Sequence, residues 1–429
     1  MTALAPSARF DRASLLRLAS WLADWLVVGV AMALPWSTSL TSILIIAWLL
    51  ALLPTLDRAG LQREVLTPAG GLPVLLWFLG LIGMLWATDV DWITRFHGLG
   101  SFNRLLVIPL LLAQFRRSEN GIRVIFGFFA SEAVVLALSY FLVLTPALSW
   151  HGHLFSDAHV TGVPVHDDVY QGSAFLICAF GALGCAICQW QKNRMAALGY
   201  AAAALLFIGN FAVALVSRVA LFSAPFLFLL LGWRLYRWKG IFGACAVAAA
   251  IGVTFWAVSP SLQTRLNNSF VEIDNYRTGG EATSLGLHLA FLEGSLKIVT
   301  SAPIFGHGTG SIAAQFRLAT EGGSGANAVI ADNPHNQTFA VAIQIGTVGA
   351  LVLWAMWIAH FLLFRGASLA AWVGPVVVVE NIVSSLAHSH LFDFGNGWLY
   401  LFGVGVLGGM VLRDVGRDQS SASSNRTDT

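Results

Sequence analysis

A histidine stands where a long polar segment of the chain meets an apolar one. Residues 332–336 read DNPHN and end the polar segment, and Gln337 opens the apolar one. His335 is therefore predicted to lie at the start of a helix, where the positive end of the helix dipole disfavours a protonated imidazole. A neutral imidazole can accept a proton near pH 7, which is what a general base requires.

Three arginines could bind an anion such as a phosphate. Arg218 ends one apolar segment, and the next apolar segment follows with almost no loop. A charge in that position is either an interfacial anchor or an anion ligand. Arg265 and Arg277 lie early in the long polar segment, where solvation is the ordinary role of an arginine, although either could swing toward a lipid phosphate.

Further ionisable residues precede the last apolar segment, namely His388, His390 and Asp393. Ionisable groups at that depth often mark a functional site. Asp393 could orient a base or bind sugar hydroxyls. Capping of a helix end is the alternative interpretation.

Other polar residues have side chains that can bind metals, but their spacing gives weaker evidence for a site. The segment 151–168 contains histidines and aspartates, yet their spacing fits no helix-borne site, so zinc competes there with a polar loop that handles substrate hydroxyls. Asp89 and Asp91 could hold a divalent ion for a lipid-linked sugar donor. Cys185 and Cys188 form a C-x-x-C inside an apolar run, which favours buried small hydrophobic residues over a metal or redox site. The candidate ligands in the segment 151–168 are the histidines His151, His153, His159 and His166, followed by Asp167 and Asp168.

A glycine-rich stretch, GHGTGS, occupies residues 306–311. Its backbone amides could cradle a phosphate. It lacks the lysine of a P-loop, however, and tight-turn packing is the preferred interpretation.

The composition of the chain is typical of a membrane protein. Of its 429 residues, 57% are hydrophobic and 11% are charged, and the mean hydropathy is +0.72, whereas soluble domains have roughly 25% charged residues. The formal net charge is only +2, so no basic field suggests a nucleic-acid partner. We therefore predict an all-α polytopic membrane protein.

Twelve apolar stretches are candidates to cross about 30 Å of hydrocarbon, and the fourth of them, which is short, could be tilted, re-entrant or partly interfacial. If the N-terminus is cytoplasmic, the inner segments hold seventeen of the 24 lysines and arginines, which supports twelve spans with both termini inside. Two outer segments are long, 146–168 and 259–335. The predicted spans are 16–35, 39–56, 71–87, 102–115, 123–145, 169–190, 196–217, 219–238, 241–258, 336–364, 368–388 and 394–412.

The chain accordingly divides into four parts. Residues 1–258 carry nine spans, 259–335 form a large outer loop, 336–412 carry three spans, and 413–429 form a cytoplasmic tail that we expect to be disordered. Within the loop, apolar residues at helical spacing predict an amphipathic helix that begins at Thr283 or Ser284 and packs on the membrane or the bundle. That stripe consists of Leu285, Leu289, Leu292, Leu296 and Val299.

The spacing of His335-Asn336, nine residues, Gly346, two residues and Gly349 resembles the H-N/S/Q-x9-G-x-x-G motif of the O-antigen ligase family. The two glycines suit a close helix contact. The position is also similar, because in that family the motif closes a large periplasmic loop late in a twelve-span protein, with an arginine at the outer end of an earlier span, as Arg218 is here. The resemblance covers roughly residues 210–400.

The resemblance implies a GT-C-like fold whose large periplasmic loop of short helices lies between spans nine and ten. It also implies an enzyme of lipopolysaccharide biosynthesis in the Gram-negative inner membrane, which transfers O-antigen from undecaprenyl diphosphate to lipid A-core on the periplasmic side. No metal or cofactor is expected.

The residues supply a workable mechanism for such a transfer. His335 would be the base, and Arg218 with Arg265 or Arg277 would bind the diphosphate. The transfer would then invert the anomeric centre. A second family arginine is expected near the amphipathic helix, where this sequence has His288. Asn336, His388 and Asp393 are expected to support the site.

Two sets of alternatives stay open at the level of sequence. O-antigen polymerases and protein O-oligosaccharyltransferases share much of this half of the chain, so the motif indicates lipid-linked glycan transfer before it indicates the acceptor. A transporter or flippase would also have twelve spans. Transporters commonly contain internal repeats with broken helices, whereas this sequence has no evident repeat and collects its polar residues in one long loop.

Overall fold

The computed structural model describes residues 11–145, 162–214 and 217–427, without the side chains of 261, 262, 265 and 418–427. Every regular element in these residues is a helix. The helices are α1 (Arg12–Ala33), α2 (Thr38–Leu52), α3 (Arg58–Val65), α4 (Pro68–Gly83), α5 (Trp92–Asn103), α6 (Val107–Phe115), α7 (Gly121–Leu144), α8 (Asp168–Gln189), α9 (Arg194–Val213), α10 (Arg218–Val258), α11 (Pro260–Gly279), α12 (Ser284–Ser301), α13 (Ile312–Ala319), α14 (Gln337–Leu363), α15 (Leu369–Ser384) and α16 (Phe394–Thr427).

The helices form a polytopic membrane bundle. In the described residues, nine helices are long and apolar enough to cross a membrane, and α3 with α4, bent by 83°, makes a possible tenth. Helix α15 is a shorter apolar helix. Each of the twelve predicted spans falls on one of these elements, with two of them on α10, but the number that crosses the membrane stays a prediction.

Helix α10 is a hairpin of two antiparallel helices. Its backbone leaves the helical region at Tyr236 and at Arg237, which has φ +54°. Gly232 and Gly240 let the two halves touch, since a Cβ on Gly240 would lie 1.9 Å from the Gly232 carbonyl oxygen. The reversal falls at the boundary that the sequence predicts between the eighth and ninth spans.

The large loop is mostly helical, and α12 is its amphipathic helix. Thr283 caps it, because its Oγ1 accepts a hydrogen bond from the Gly286 amide at 3.2 Å. The buried face of α12 differs from the predicted leucine stripe: Phe291 and Ile298 are buried, whereas Leu292 and Leu296 are exposed. The loop core forms around the Phe291 ring, and Leu289 and Val299 pack at its edges, so Leu292 and Leu296 alone of the stripe are left on the outer face.

The glycine-rich stretch packs against a break in α14. Gly346 has φ +68°, and the residues around it leave carbonyls free that accept hydrogen bonds from the stretch. The amides of His307, Gly308 and Thr309 donate to Ile343, Gln344 and Gly83. The Gly310 amide donates to the Gln344 side chain at 2.8 Å. The amides are thus used within the protein, as tight-turn packing requires, and they do not form a phosphate cradle.

The C-terminal segment continues helix α16 as far as Thr427. The disorder expected of residues 413–429 stays a prediction. The segment contains no proline, and its first turns are fastened to the bundle. The Arg413 guanidinium donates to the Ser118 carbonyl, and Arg417 pairs with Glu119.

We predict that Gly346→Ala destabilises the protein by about 2 kcal/mol or more. A Cβ at this position would meet the Ile304 carbonyl oxygen at 2.1 Å, and a side chain disfavours the positive φ. Unfolding of the purified protein in detergent measures the effect. Gly199→Ala is the control, because nothing lies within 4 Å of its Cβ. Equal stability of the two variants would contradict this account of the motif glycine.

Candidate functional site

A cavity of about 670 Å³ lies where the large loop meets the ends of the bundle helices. Five elements form it: the starts of α8 and α10, helix α12, the turn before α14, and the connection between α15 and α16. Its polar side chains are therefore assembled from residues far apart in sequence. They are Asp168, Ser217, Arg218, Ser284, His288, His335, Asn336 and His388.

His335 is held by the turn that starts α14. The Asn333 side chain accepts a hydrogen bond from the His335 amide at 3.0 Å. Asn336 caps α14 by accepting from the Phe339 amide at 3.1 Å, and its Nδ2 donates to the Leu386 carbonyl at 3.0 Å. The second residue of the His-Asn motif thus fixes the helix start and ties it to the neighbouring connection.

The backbone of His335 is in the left-handed region, with φ +50°. A residue with a Cβ pays about 1–2 kcal/mol for this conformation. The turn aims the imidazole into the cavity instead of along the helix. Strain of this kind, stabilised by hydrogen bonds on both sides, is typical of a functional position.

Three imidazoles meet around His335. The ring centroids of His335 and His388 are 5.1 Å apart, and those of His288 and His335 are 4.8 Å apart. The Nδ1 atoms of His335 and His388 lie 3.3 Å from each other, so one ring donates and the other accepts. The Phe291 ring lies nearly parallel to the His335 ring, with an interplanar angle of 7° and 5.8 Å between the ring centroids.

The environment favours neutral imidazoles in this cluster. Burial lowers the pKa of His335. Burial, with repulsion from His335, lowers the pKa of His288 to about 4 and that of His388 to about 3. The lowered pKa of these imidazoles is therefore caused mainly by desolvation. The sequence had suggested the helix dipole as the cause. All three rings offer lone pairs at neutral pH.

Arg218 brings positive charge to the cavity and is held by an acidic partner. Its two guanidinium nitrogens donate to the two Glu272 oxygens, at 2.8 and 3.3 Å. Glu272 Oε2 also accepts from the Leu285 amide at the start of α12, at 2.9 Å. The hydrogen bond from Arg218 lowers the pKa of Glu272, so the carboxylate is ionised at neutral pH. The pair links α10, α11 and α12.

The other predicted site residues are only partly brought together. Arg277 is exposed in the last turn of α11 and does not line the cavity. The side chain of Arg265 lies outside the described residues. Asp393 is half-buried and does not line the cavity. Its backbone carbonyl accepts a hydrogen bond from Arg104 at 2.9 Å, and desolvation raises its pKa to about 7. His390 is hydrogen-bonded to Ser384, and its ring stacks on the His388 ring behind the cavity wall.

The remaining candidates of the sequence are occupied by structural contacts or lie elsewhere. His151, His153 and His159 fall outside the described residues. Asp91 caps α5, and Asp89 accepts a hydrogen bond from Gln315 at 2.8 Å, so the two carboxylates serve different partners.

The acidic and thiol residues on α8 also have separate surroundings. Asp167 caps α8 through the Tyr170 amide, whereas Asp168 lines the cavity. Cys185 is half-buried and Cys188 is exposed. The expectation that both cysteines are buried was therefore wrong, because this end of the apolar helix lies on the outside of the bundle.

Comparison with protein families agrees with this geometry. Residues 201–354 match the family model Wzy_C, described as O-Antigen ligase. This part of the chain is therefore similar to the O-antigen ligase family. The matched segment includes Arg218, Glu272, His288 and His335. A search of curated proteins found no match.

Two residues of the site were not predicted as site residues from the sequence. No local sequence pattern marks Glu272, because its ion-pair partner, Arg218, is 54 residues away in the sequence. His288 gave a partial signal, since it occupies the amphipathic helix where the family resemblance suggests an arginine. Both enter the site through contacts between distant helices.

We predict a pH-dependent coupling between Arg218 and Glu272. The pKa of Glu272 is lowered in the folded protein, so the stabilisation is present above its unfolded value of about 4.3 and is lost as the pH falls through the folded pKa. A double-mutant cycle with Arg218→Gln and Glu272→Gln should give about 0.5–1 kcal/mol at pH 7, since the pair is partly exposed. The free energy of unfolding in detergent measures it, and coupling that does not decline in acid would refute the pairing.

Proposed function

We propose that this protein is an O-antigen ligase, which transfers an O-antigen glycan from undecaprenyl diphosphate to a sugar hydroxyl of lipid A-core. The observation that carries the proposal is that a half-buried imidazole, that of His335, and the guanidinium of Arg218 line the same cavity. The O-antigen ligase domain match supports it, because members of that family act on lipid-linked glycans.

His335 takes the proton from the acceptor hydroxyl. If its Nδ1–H donates to His388 Nδ1, the lone pair of His335 is on Nε2, and that atom is the base. His388 then fixes the tautomer and the ring orientation, which is the supporting role expected of it. Asn336 supports the base by holding the turn in place.

Arg218 balances the charge of the diphosphate as the anomeric C–O bond breaks. The acceptor oxygen forms the new bond to the anomeric carbon from the opposite side, so a single displacement inverts the configuration. Diphosphate is a good leaving group, and neither a general acid nor a metal is required. Arg265 is the second candidate for the diphosphate, whereas Arg277 is less suited because it does not line the cavity.

The excess of lysine and arginine on the opposite side of the predicted bundle supports a periplasmic site in the inner membrane. The large loop and the cavity lie at the same end of the helices. Lipid-linked glycan and lipid A-core would both approach this end from the membrane. The apolar outer face of α12, with Leu292 exposed, suits contact with their lipid portions.

The acceptor distinguishes the ligase from its alternatives. A polymerase or a protein O-oligosaccharyltransferase would use the same base and the same diphosphate site, with another glycan or a protein hydroxyl as the acceptor. A transporter would need no base in the cavity. Lipopolysaccharide from the host therefore separates these possibilities.

We predict that deletion of the gene removes the long-chain lipopolysaccharide ladder and leaves O-antigen on its lipid carrier. Rescue with His335→Ala should restore no ladder, because the acceptor hydroxyl has no base, while membrane levels of the protein stay normal. His97→Ala is the control and should rescue fully, since His97 is exposed and does not line the cavity.

Three gel results would overturn parts of the proposal. Full rescue by His335→Ala would remove the base assignment. A core that bears a single repeat after deletion would indicate the polymerase. An unchanged lipopolysaccharide profile would indicate protein glycosylation or transport instead.

A further inference from the structure

The proposed transfer uses one imidazole as the base, but three imidazoles meet at the cavity. His288, His335 and His388 come from α12, from the turn before α14 and from the connection after α15. Their ligand nitrogens all lie within 4.8 Å of one another. A cluster of three histidines from three separate elements needs an explanation beyond the base.

The spacing of the nitrogens suits a small tetrahedral ion. Zinc binds imidazole nitrogen at about 2.0–2.1 Å, so two nitrogens on one tetrahedral zinc ion are about 3.3 Å apart. His335 Nδ1 and His388 Nδ1 are 3.3 Å apart already. The pairs that involve His288 need to close by at most about 1.5 Å from the 4.8 Å limit, which is the scale of a side-chain adjustment.

The chemistry of the cluster also favours a metal of the zinc type. A metal binds the neutral form of imidazole, and burial keeps these three rings neutral. An all-nitrogen donor set selects zinc and its neighbours over magnesium or calcium, which prefer oxygen. The cavity provides an open side for a fourth ligand, as in zinc sites with three protein ligands.

A second group that shares His388 is less suitable. His390 and Asp393 lie close to it. The Nδ1 of His390 is already bonded to Ser384 at 2.7 Å, and the ring is fully buried away from the cavity. Only the first group opens on the cavity.

We propose that His288, His335 and His388 bind one divalent ion of the zinc type, and that the bound ion blocks glycan transfer by occupying His335. The first half rests on the geometry alone. The second half rests on the proposed function, because an ion bound to His335 Nδ1 leaves the ring proton on Nε2, and Nε2 then has no lone pair for the acceptor proton. The ion would also fasten α12 to the bundle.

Metal binding is tested on the purified full-length protein, without a histidine tag and stripped with EDTA. Titration with zinc against a coloured chelator should show one site per chain, and cobalt should give the visible spectrum of a tetrahedral site. His288→Ala and His388→Ala should each weaken zinc binding at least tenfold, because a three-ligand site loses a ligand. His97→Ala and Asp393→Asn should leave the affinity unchanged.

Three binding results would overturn the site. The first is unchanged affinity in His288→Ala. The second is loss of binding only when His151, His153 and His159 are replaced together. Loss of binding in Asp393→Asn would move the ion to the group with His390 and would also contradict the proposal.

The blocking role is tested by the ratio of transfer with and without zinc. Micromolar zinc should inhibit the wild type and not His288→Ala, each compared with its own rate in EDTA. A wild type that loses activity in EDTA and regains it with zinc would show that the ion is required, which contradicts blocking. Zinc binding by a chain that transfers no glycan would leave the metal site standing while the proposed function fails.

Discussion

The junction between the large loop and α14 is the constraint on which the site depends. The chain must leave the loop, turn sharply and enter an apolar helix, and the turn places His335 at a positive φ. Asn336 and Gln337 anchor this junction, since Gln337 donates its amide to the Ser385 carbonyl at 3.0 Å and accepts from the Leu391 amide at 2.9 Å. The connection that carries His388 is thereby fixed beside His335.

Helix α14 also binds the glycine-rich stretch of the large loop, at a point further along the helix. At Gly346 its hydrogen bonding is interrupted, and the carbonyls that become free receive the amides of the glycine-rich stretch. The stretch in turn contacts α4, where Thr309 Oγ1 donates to the Gly80 carbonyl at 2.6 Å. Both ends of the motif, the His-Asn pair and the glycines, therefore attach the loop to the bundle and keep α12 over the cavity.

Charge in the cavity is controlled by pairing and by burial. The imidazoles are kept neutral because water is excluded and because each proton added would repel the next. Glu272 orients the Arg218 guanidinium through their ion pair. A cavity with lone pairs on one wall and a guanidinium on another suits an acceptor hydroxyl and an anionic leaving group, and it also suits a metal ion that competes with them.

Much of this arrangement can be predicted from the sequence. The rest cannot be predicted, and the reasons are physical. Hydropathy determines which stretches form helices in lipid, so the apolar helices could be predicted. The position of His335 at a helix start follows from the change from polar to apolar residues at that point of the sequence. The leucine stripe of α12 is readable from the sequence, but the face that packs on the loop core is not, because that core forms around Phe291 once α13 packs against it. Glu272 and the full histidine cluster depend on contacts between distant helices, which no local pattern encodes.

The most direct test is transfer by the purified protein, supplied with undecaprenyl diphosphate-linked O-antigen and lipid A-core in the presence of EDTA. The account predicts that one undecaprenyl diphosphate is released for each glycan attached, and that the new linkage has the inverted anomeric configuration. Absence of transfer to lipid A-core, or a retained configuration, would contradict a single displacement assisted by His335 in this cavity.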